Sequence, residues 1–182
     1  MALEFTASYL ADSVSLLHYY KNLGEQAMAQ VSDDGLTTTL DAESNSIAII
    51  VKHLTGNMRS RWTDFLTSDG EKPDRDRDGE FRASVQSRSE IMATWEASWR
   101  IVFEALAPLT DSDLARTILI RNERHSVMQA INRQVAHYAY HIGQIVYISK
   151  HLASDRWTSL TIPREQSSDY NNRVASGKIS QR

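Results

Sequence analysis

Apolar residues return every three, four or seven positions along four long stretches of the chain, the spacing that gathers them on one side of an α-helix. Leu3, Leu10 and Leu17, with Val14 and Met28, predict a first helix from about Leu3 to Gln30, and Ser32-Asp33-Asp34-Gly35 reads as the turn that ends it. Ile47, Ile50, Leu54, Met58 and Phe65 mark a second helix, capped by Ser44 or Asn45 and running to about Leu66. A third begins near Phe81 or Val85 and carries Ile91, Trp95, Trp99, Val102 and Leu106, with Pro108 closing it. Thr117 to Ile120 is short and β-branched and reads as a brief extended segment or turn. Ser126 then caps a fourth helix lasting to about Leu152.

Four helices of roughly 20 to 28 residues with little strand predict an all-α, four-helix bundle with some longer connections. The bundle is expected over residues 1–163 and a polar tail or interface arm over 164–182, where Ser, Asn, Arg and Gln dominate. The charged stretch Ser68 to Gly79 reads as a loop, and its alternating Asp74-Arg75-Asp76-Arg77-Asp78 as a solvated surface. The tryptophans Trp62, Trp95, Trp99 and Trp157 read as core rather than as a ligand cage.

Composition narrows the chemistry. With 20 Lys+Arg against 23 Asp+Glu and a net charge of −3, no general excess of positive charge faces a phosphate backbone, so nucleic acid is not an expected partner. Cysteine is absent, which removes disulfides, thiolate nucleophiles and Cys-based metal sites, and fits a reducing cytosol. The opening Met1-Ala2-Leu3-Glu4-Phe5 lacks a basic start, and the longest aliphatic run, Ile47 to Val51, falls far short of the roughly 20 residues that span a bilayer. A cytoplasmic protein with no membrane partner is expected. Nucleotide-loop, hydrolase-elbow and zincin motifs are not present.

The remaining chemistry lies in histidines. His137 and His141 stand four residues apart on the fourth helix, one turn above another, within a seam that also holds Val127, Ala130, Gln134, Ile145 and Ile148. Such a pair arises by chance about one time in five for six histidines in a chain of this length, so a third donor must decide its meaning. His53 is the best third donor. It lies on the second helix among Ile49 and Ile50 and faces the same way as Ser46, Asn57, Ser60 and Asp64. Three neutral imidazoles leave a metal position open to water or substrate, as a catalytic site requires. Asn57, Asp64, Gln134, Tyr138 and Gln144 are candidates to orient the ligands or a bound molecule. His18, His125 and His151 call for no function.

Two segments resemble a known family: His53-Leu54-Thr55-Gly56-Asn57-Met58-Arg59-Ser60-Arg61, and His137-Tyr138-Ala139-Tyr140-His141-Ile142-Gly143-Gln144-Ile145. They are similar to motifs of the DinB-like superfamily of metalloenzymes, and the likeness runs from the first helix to about Pro163. Asp69-Gly70-Glu71-Lys72-Pro73 is similar to one uncharacterised subfamily. The resemblance implies a four-helix bundle, often a homodimer, with His53, His137 and His141 in the ligand positions of a zinc, nickel or other divalent ion. Some members are transferases or isomerases that use bacillithiol, mycothiol or glutathione, and the family name carries no DNA binding. The expected function is therefore a metal-dependent enzyme that activates a water or a low-molecular-weight thiol against a small electrophilic substrate, transferase-like or hydrolase-like. The alternatives are a non-catalytic bundle fastened by metal, or a metal-free one, acting in stress response or protein interaction. No catalytic residue is assigned.

Overall fold

The computed structural model describes residues 8–83 and 86–179. Leu3 of the first apolar stripe and Val85, one proposed start of the third helix, lie outside them. Four long helices form the body: α1 (Tyr9–Met28), α3 (Ile47–Trp62), α5 (Arg88–Leu106) and α6 (Val127–Ala153). Shorter ones, α2 (Asp33–Thr37), α4 (Arg77–Glu80) and α7 (Ser167–Ala175), sit in the connections and near the C-terminus. Single 3₁₀ turns occupy Asp111–Ala115 and Ser154–Arg156. α1 packs along α6 and α3 along α5, while α3 also meets α6. The molecule is an all-α bundle carrying one small hairpin.

Each long helix starts where a serine side chain accepts a hydrogen bond from an otherwise orphaned backbone N–H: Ser8, Ser46, Ser87 and Ser126. The caps of α5 and α6 are reciprocal, through Glu90 and Gln129. The cap of α3 is Ser46, not the expected Ser44 or Asn45, and the helix stops at Trp62 rather than Leu66: Thr63 is extended at ψ 121° and Asp64 left-handed at φ 49°. Ser32, expected in a simple turn, instead caps α2 and buries Leu36. Residues 164–182, expected as a polar tail or arm, contain α7, which has no buried residue.

The predicted stripes are the core. Leu10, Leu17, Met28, Leu54, Met58, Ile91, Trp95, Trp99, Val102 and Leu106 are all buried. Gly24 lets α1 come close: a Cβ there would lie 3.0 Å from Ile142 and 3.1 Å from Trp95. The expected extended segment is β1 (Thr117–Ile120), and it pairs antiparallel with β2 (Glu123–Ser126), a strand not foreseen. Arg121 and Asn122 make the two-residue turn with φ of 57° and 62°. Asp69 holds this turn, accepting from the backbone N–H groups of Arg121 (2.8 Å) and Asn122 (2.7 Å), while the Gly70 N–H donates to Leu119 O at 2.8 Å. The Asp69-Gly70 segment is thus the buckle that ties the loop after α3 to the hairpin before α6. No described helix is long and apolar enough to cross a membrane.

Candidate metal centre

α3 and α6 face each other so that His53, His137 and His141 converge, one ring nitrogen of each lying within 4.8 Å of the other two. His53 Nε2 stands 3.2 Å from His137 Nε2, with the rings nearly perpendicular. Two of the three rings are oriented from behind. His53 Nδ1 lies 2.9 Å from Glu80 Oε2, and His141 Nδ1 2.7 Å from Gln144 Oε1. A carboxylate and an amide oxygen only accept, so both Nδ1 atoms carry the proton and both Nε2 atoms present a lone pair forward. This hydrogen bonding behind the ring is how ligating histidines are held in the correct tautomer.

Glu80 reaches His53 because position 56 is glycine: a Cβ on Gly56 would overlap the Glu80 carboxylate. Arg75 holds the same carboxylate with two hydrogen bonds, Nε to Oε1 at 2.8 Å and Nη2 to Oε2 at 2.9 Å. Burial alone would raise the Glu80 carboxyl, but the bonds from His53 and Arg75 outweigh it and keep Glu80 below its ordinary range. Arg75 overturns the solvated reading of the alternating segment at that residue. Its side chain is only 5% exposed, while Asp74, Asp76, Arg77 and Asp78 are in solvent.

Burial, and then the positive fields of His141, His53, Arg75 and Arg61, push the His137 pKa down to about 3. His141 is lowered as well, mainly by burial. Both imidazoles are therefore neutral at pH 7, the form that binds a metal. His137 Nδ1 is buried with no partner among the described residues, as are Asn57 Oδ1 and Gln134 Oε1. The donor set fits a divalent ion: three imidazoles, two of them, His53 and His141, with anchored outer nitrogens.

In front of the histidines lies a cavity of about 490 Å³, within the usual range for small-molecule sites. Asn57 and Gln134, two of the candidates read from the sequence, line it. Gln144 supports His141 from the side. Two candidates do not belong. Asp64 lies past the end of α3 in its left-handed turn and is exposed, so the polar stripe that included it ends before reaching it. Tyr138 is fully buried on the neighbouring face of α6, where its hydroxyl accepts from Trp62 Nε1 at 2.9 Å and burial raises its pKa. The histidines given no function stay outside the cluster. His18 stacks on Phe103 with ring centroids 3.8 Å apart, His125 is half-buried on β2 and His151 is exposed.

The residues missed by the sequence are Glu80, Arg75 and the arginines that surround the cavity, Arg61, Arg77, Arg121 and Arg133 among them. Glu80 is 27 residues from His53 and no periodicity connects them. The only local signal was Gly56, a glycine one turn along the helix face from His53.

A bundle of four long helices with three histidines converging between two of them defines the class of protein at hand: a helical bundle with a candidate trihistidine centre. The chain matches the model of the family described as Protein of unknown function (DUF1572) over residues 4–166 and belongs to that family, which lies within the DinB-like fold family. A comparison with curated proteins gave no match.

Proposed function

We propose that the chain is a divalent-metal-dependent enzyme in which His53, His137 and His141 hold zinc or nickel and a small molecule reacts in the cavity before them. The observation that carries this reading is the pair of anchored rings, with Glu80 behind His53 and Gln144 behind His141, leaving forward-facing lone pairs beside an open cavity. A divalent ion on neutral imidazoles supplies a Lewis acid that lowers the pKa of a water or an exogenous thiol and makes it nucleophilic at neutral pH. The protein's own contribution is to keep His137 and His141 neutral, to aim the rings of His53 and His141, to exclude water on the Trp62 and Tyr138 side, and to offer Asn57 and Gln134 to the reacting molecule. The chain holds no cysteine, so a thiol nucleophile has to come from a low-molecular-weight cofactor.

A second reading shares the same ion without turnover. The three histidines come from two different helices, α3 and α6, so an ion there would also fasten the bundle. The test is elemental analysis of the purified chain beside His53→Ala and His137→Ala. About one ion per chain, lost in both variants, supports the centre. Thiol-transfer and hydrolysis screens in that metal form then separate enzyme from clamp. A chain that takes up none of zinc, nickel, manganese or iron at neutral pH leaves the histidines as a hydrogen-bonded core.

A further inference from the structure

Five arginines, Arg61, Arg75, Arg77, Arg121 and Arg133, line the same cavity as the histidines, and among the described residues no carboxylate lines it. This concentration is unexpected in a chain whose net charge is −3. The five are not equivalent. Arg75 is spent on Glu80 and lies within 3.6 Å of Glu71. Arg61 is buried, donating to Gly70 O and to Glu71 Oε2. Arg121 gives its Nε to Glu71 at 2.9 Å but is half exposed, with its other donors uncommitted. Arg77 rests over the Phe81 ring at 5.4 Å and has no ion pair among the described residues. Arg133 has neither an ion pair nor a hydrogen bond among them. Among the described residues the ion pairs of the five thus reach only Glu71 and Glu80.

The position of Arg77, Arg121 and Arg133 is set by the fold. Arg133 stands one turn before His137 on α6, Arg77 opens α4 three residues before Glu80, and Arg121 sits at the hairpin tip that Asp69 clamps. Three elements with no sequence relation therefore bring uncommitted guanidinium donors to one mouth. A guanidinium matches a carboxylate or phosphate in charge and in hydrogen-bond geometry. Asn57 and Gln134, buried and with unpartnered amide oxygens, supply adaptable polar groups deeper in, where either end of an amide can meet a ligand.

We infer that the cavity binds a small molecule through an oxyanion, a carboxylate or a phosphate, held by Arg133, Arg77 and Arg121, with the rest of the molecule directed at the histidines. As a statement about substrate it rests on the metal-centre reading; as a statement about binding it rests on the arginines alone. The experiment separates the two. Calorimetric titration of the chelator-treated full chain at low ionic strength uses benzoate, phenyl phosphate and inorganic phosphate, with benzamide as the neutral counterpart. Metal-free protein is used because an oxyanion also ligates a metal directly.

The expected result is that one or both aromatic oxyanions bind near one per chain and benzamide at least about tenfold more weakly. Arg133→Ala weakens oxyanion binding about tenfold, and Arg133→Glu weakens it further, which a merely structural role would not produce. Arg77→Ala acts in the same direction. Whichever of benzoate and phenyl phosphate binds more tightly names the headgroup, and inorganic phosphate binding alone assigns it to phosphate. Equal binding of benzamide and benzoate, or oxyanion binding untouched by the Arg133 and Arg77 variants, overturns the proposal. Oxyanion binding in a chain that takes up no metal keeps the proposal and removes the metal centre; a stoichiometric metal with no oxyanion binding does the reverse.

Discussion

His137 and Tyr138 are neighbours on α6, yet they belong to two different regions of the molecule. Tyr138 points into the apolar interior, where Trp99 meets its ring with centroids 5.5 Å apart and Trp62 satisfies its hydroxyl. His137, about 100° around the helix, points into the arginine-lined end with a buried nitrogen that has no partner among the described residues. One side of the bundle is mainly packed rings and aliphatic groups, with the Trp99 Nε1 buried and unpartnered among the described residues; the other gathers neutral imidazoles, unpartnered amide oxygens and spare guanidinium donors. The difference teaches that stability and chemistry divide here between faces of the same helices rather than between segments of the chain.

Substitutions on the two faces should therefore produce different kinds of loss. The largest effect on folding belongs to the apolar side: Trp99→Ala, at a fully buried ring, costs about 3–5 kcal/mol in chemical denaturation while the folded fraction keeps its metal-binding stoichiometry. On the polar side His137→Ala removes the ion, as read by elemental analysis, and metal-free denaturation midpoints shift far less than for Trp99→Ala. An equal loss of stability in both variants would erase the distinction.

Glu80→Gln sharpens it further, since Gln still accepts from His53 but no longer carries the charge that Arg75 and His53 meet. Metal affinity should fall about 10- to 100-fold in a competition titration, with stoichiometry recovered at saturation. Unchanged affinity would reduce Glu80 to a partner of Arg75 alone.

A smaller, pH-dependent effect sits at the hairpin buckle. Burial acts to raise the Asp69 carboxyl, but the backbone N–H groups of Asn122, Glu71 and Arg121 outweigh it and lower its pKa below the ordinary 3.8. The unfolded chain then takes up this proton before the folded one does. The contribution is complete above about pH 4 and is lost as the pH falls through the depressed value. Asp69→Asn should accordingly lower stability near pH 7 and so flatten the acid limb of a stability–pH curve, the two chains converging as the pH falls through the depressed value. An unaltered acid limb would place the buckle's strength elsewhere. The smallest effects are at exposed positions: His151→Ala and Asp64→Asn should each stay within about 0.5 kcal/mol of the parent and keep full metal. Loss of metal in Asp64→Asn would return that residue to the site.

Much of the bundle was legible because helices advertise themselves locally. The stripes Ile91-Trp95-Trp99-Val102-Leu106 and Ile47-Ile50-Leu54-Met58 are buried as spaced, and Ser126 caps α6 where a cap was read. Boundaries drifted where a competing serine stood nearby, as at Ser46, or where the chain left the helix through a left-handed residue, as at Asp64. That exit also explains the misplaced polar stripe. Extrapolated as helix, Asp64 stays on the face of His53; once α3 ends at Trp62 it turns to solvent. Tyr138 was misplaced for a different reason, since a polar tip beside a histidine looks available until a tryptophan on another helix is known to hold it.

By itself the sequence determined the four long helices, their apolar faces and the three histidines at helical register, because each depends on spacings of three, four or seven residues within one segment. Only the tertiary structure decided that Glu80 stands behind His53, that Arg75 is buried in what looked like a solvated charge run, and that a hairpin clamped by Asp69 delivers Arg121 to the same cavity as Arg133. Those contacts join residues 27 to more than 50 positions apart across loops. Which loop residue meets which helix depends on how the bundle closes, and local periodicity carries no record of it.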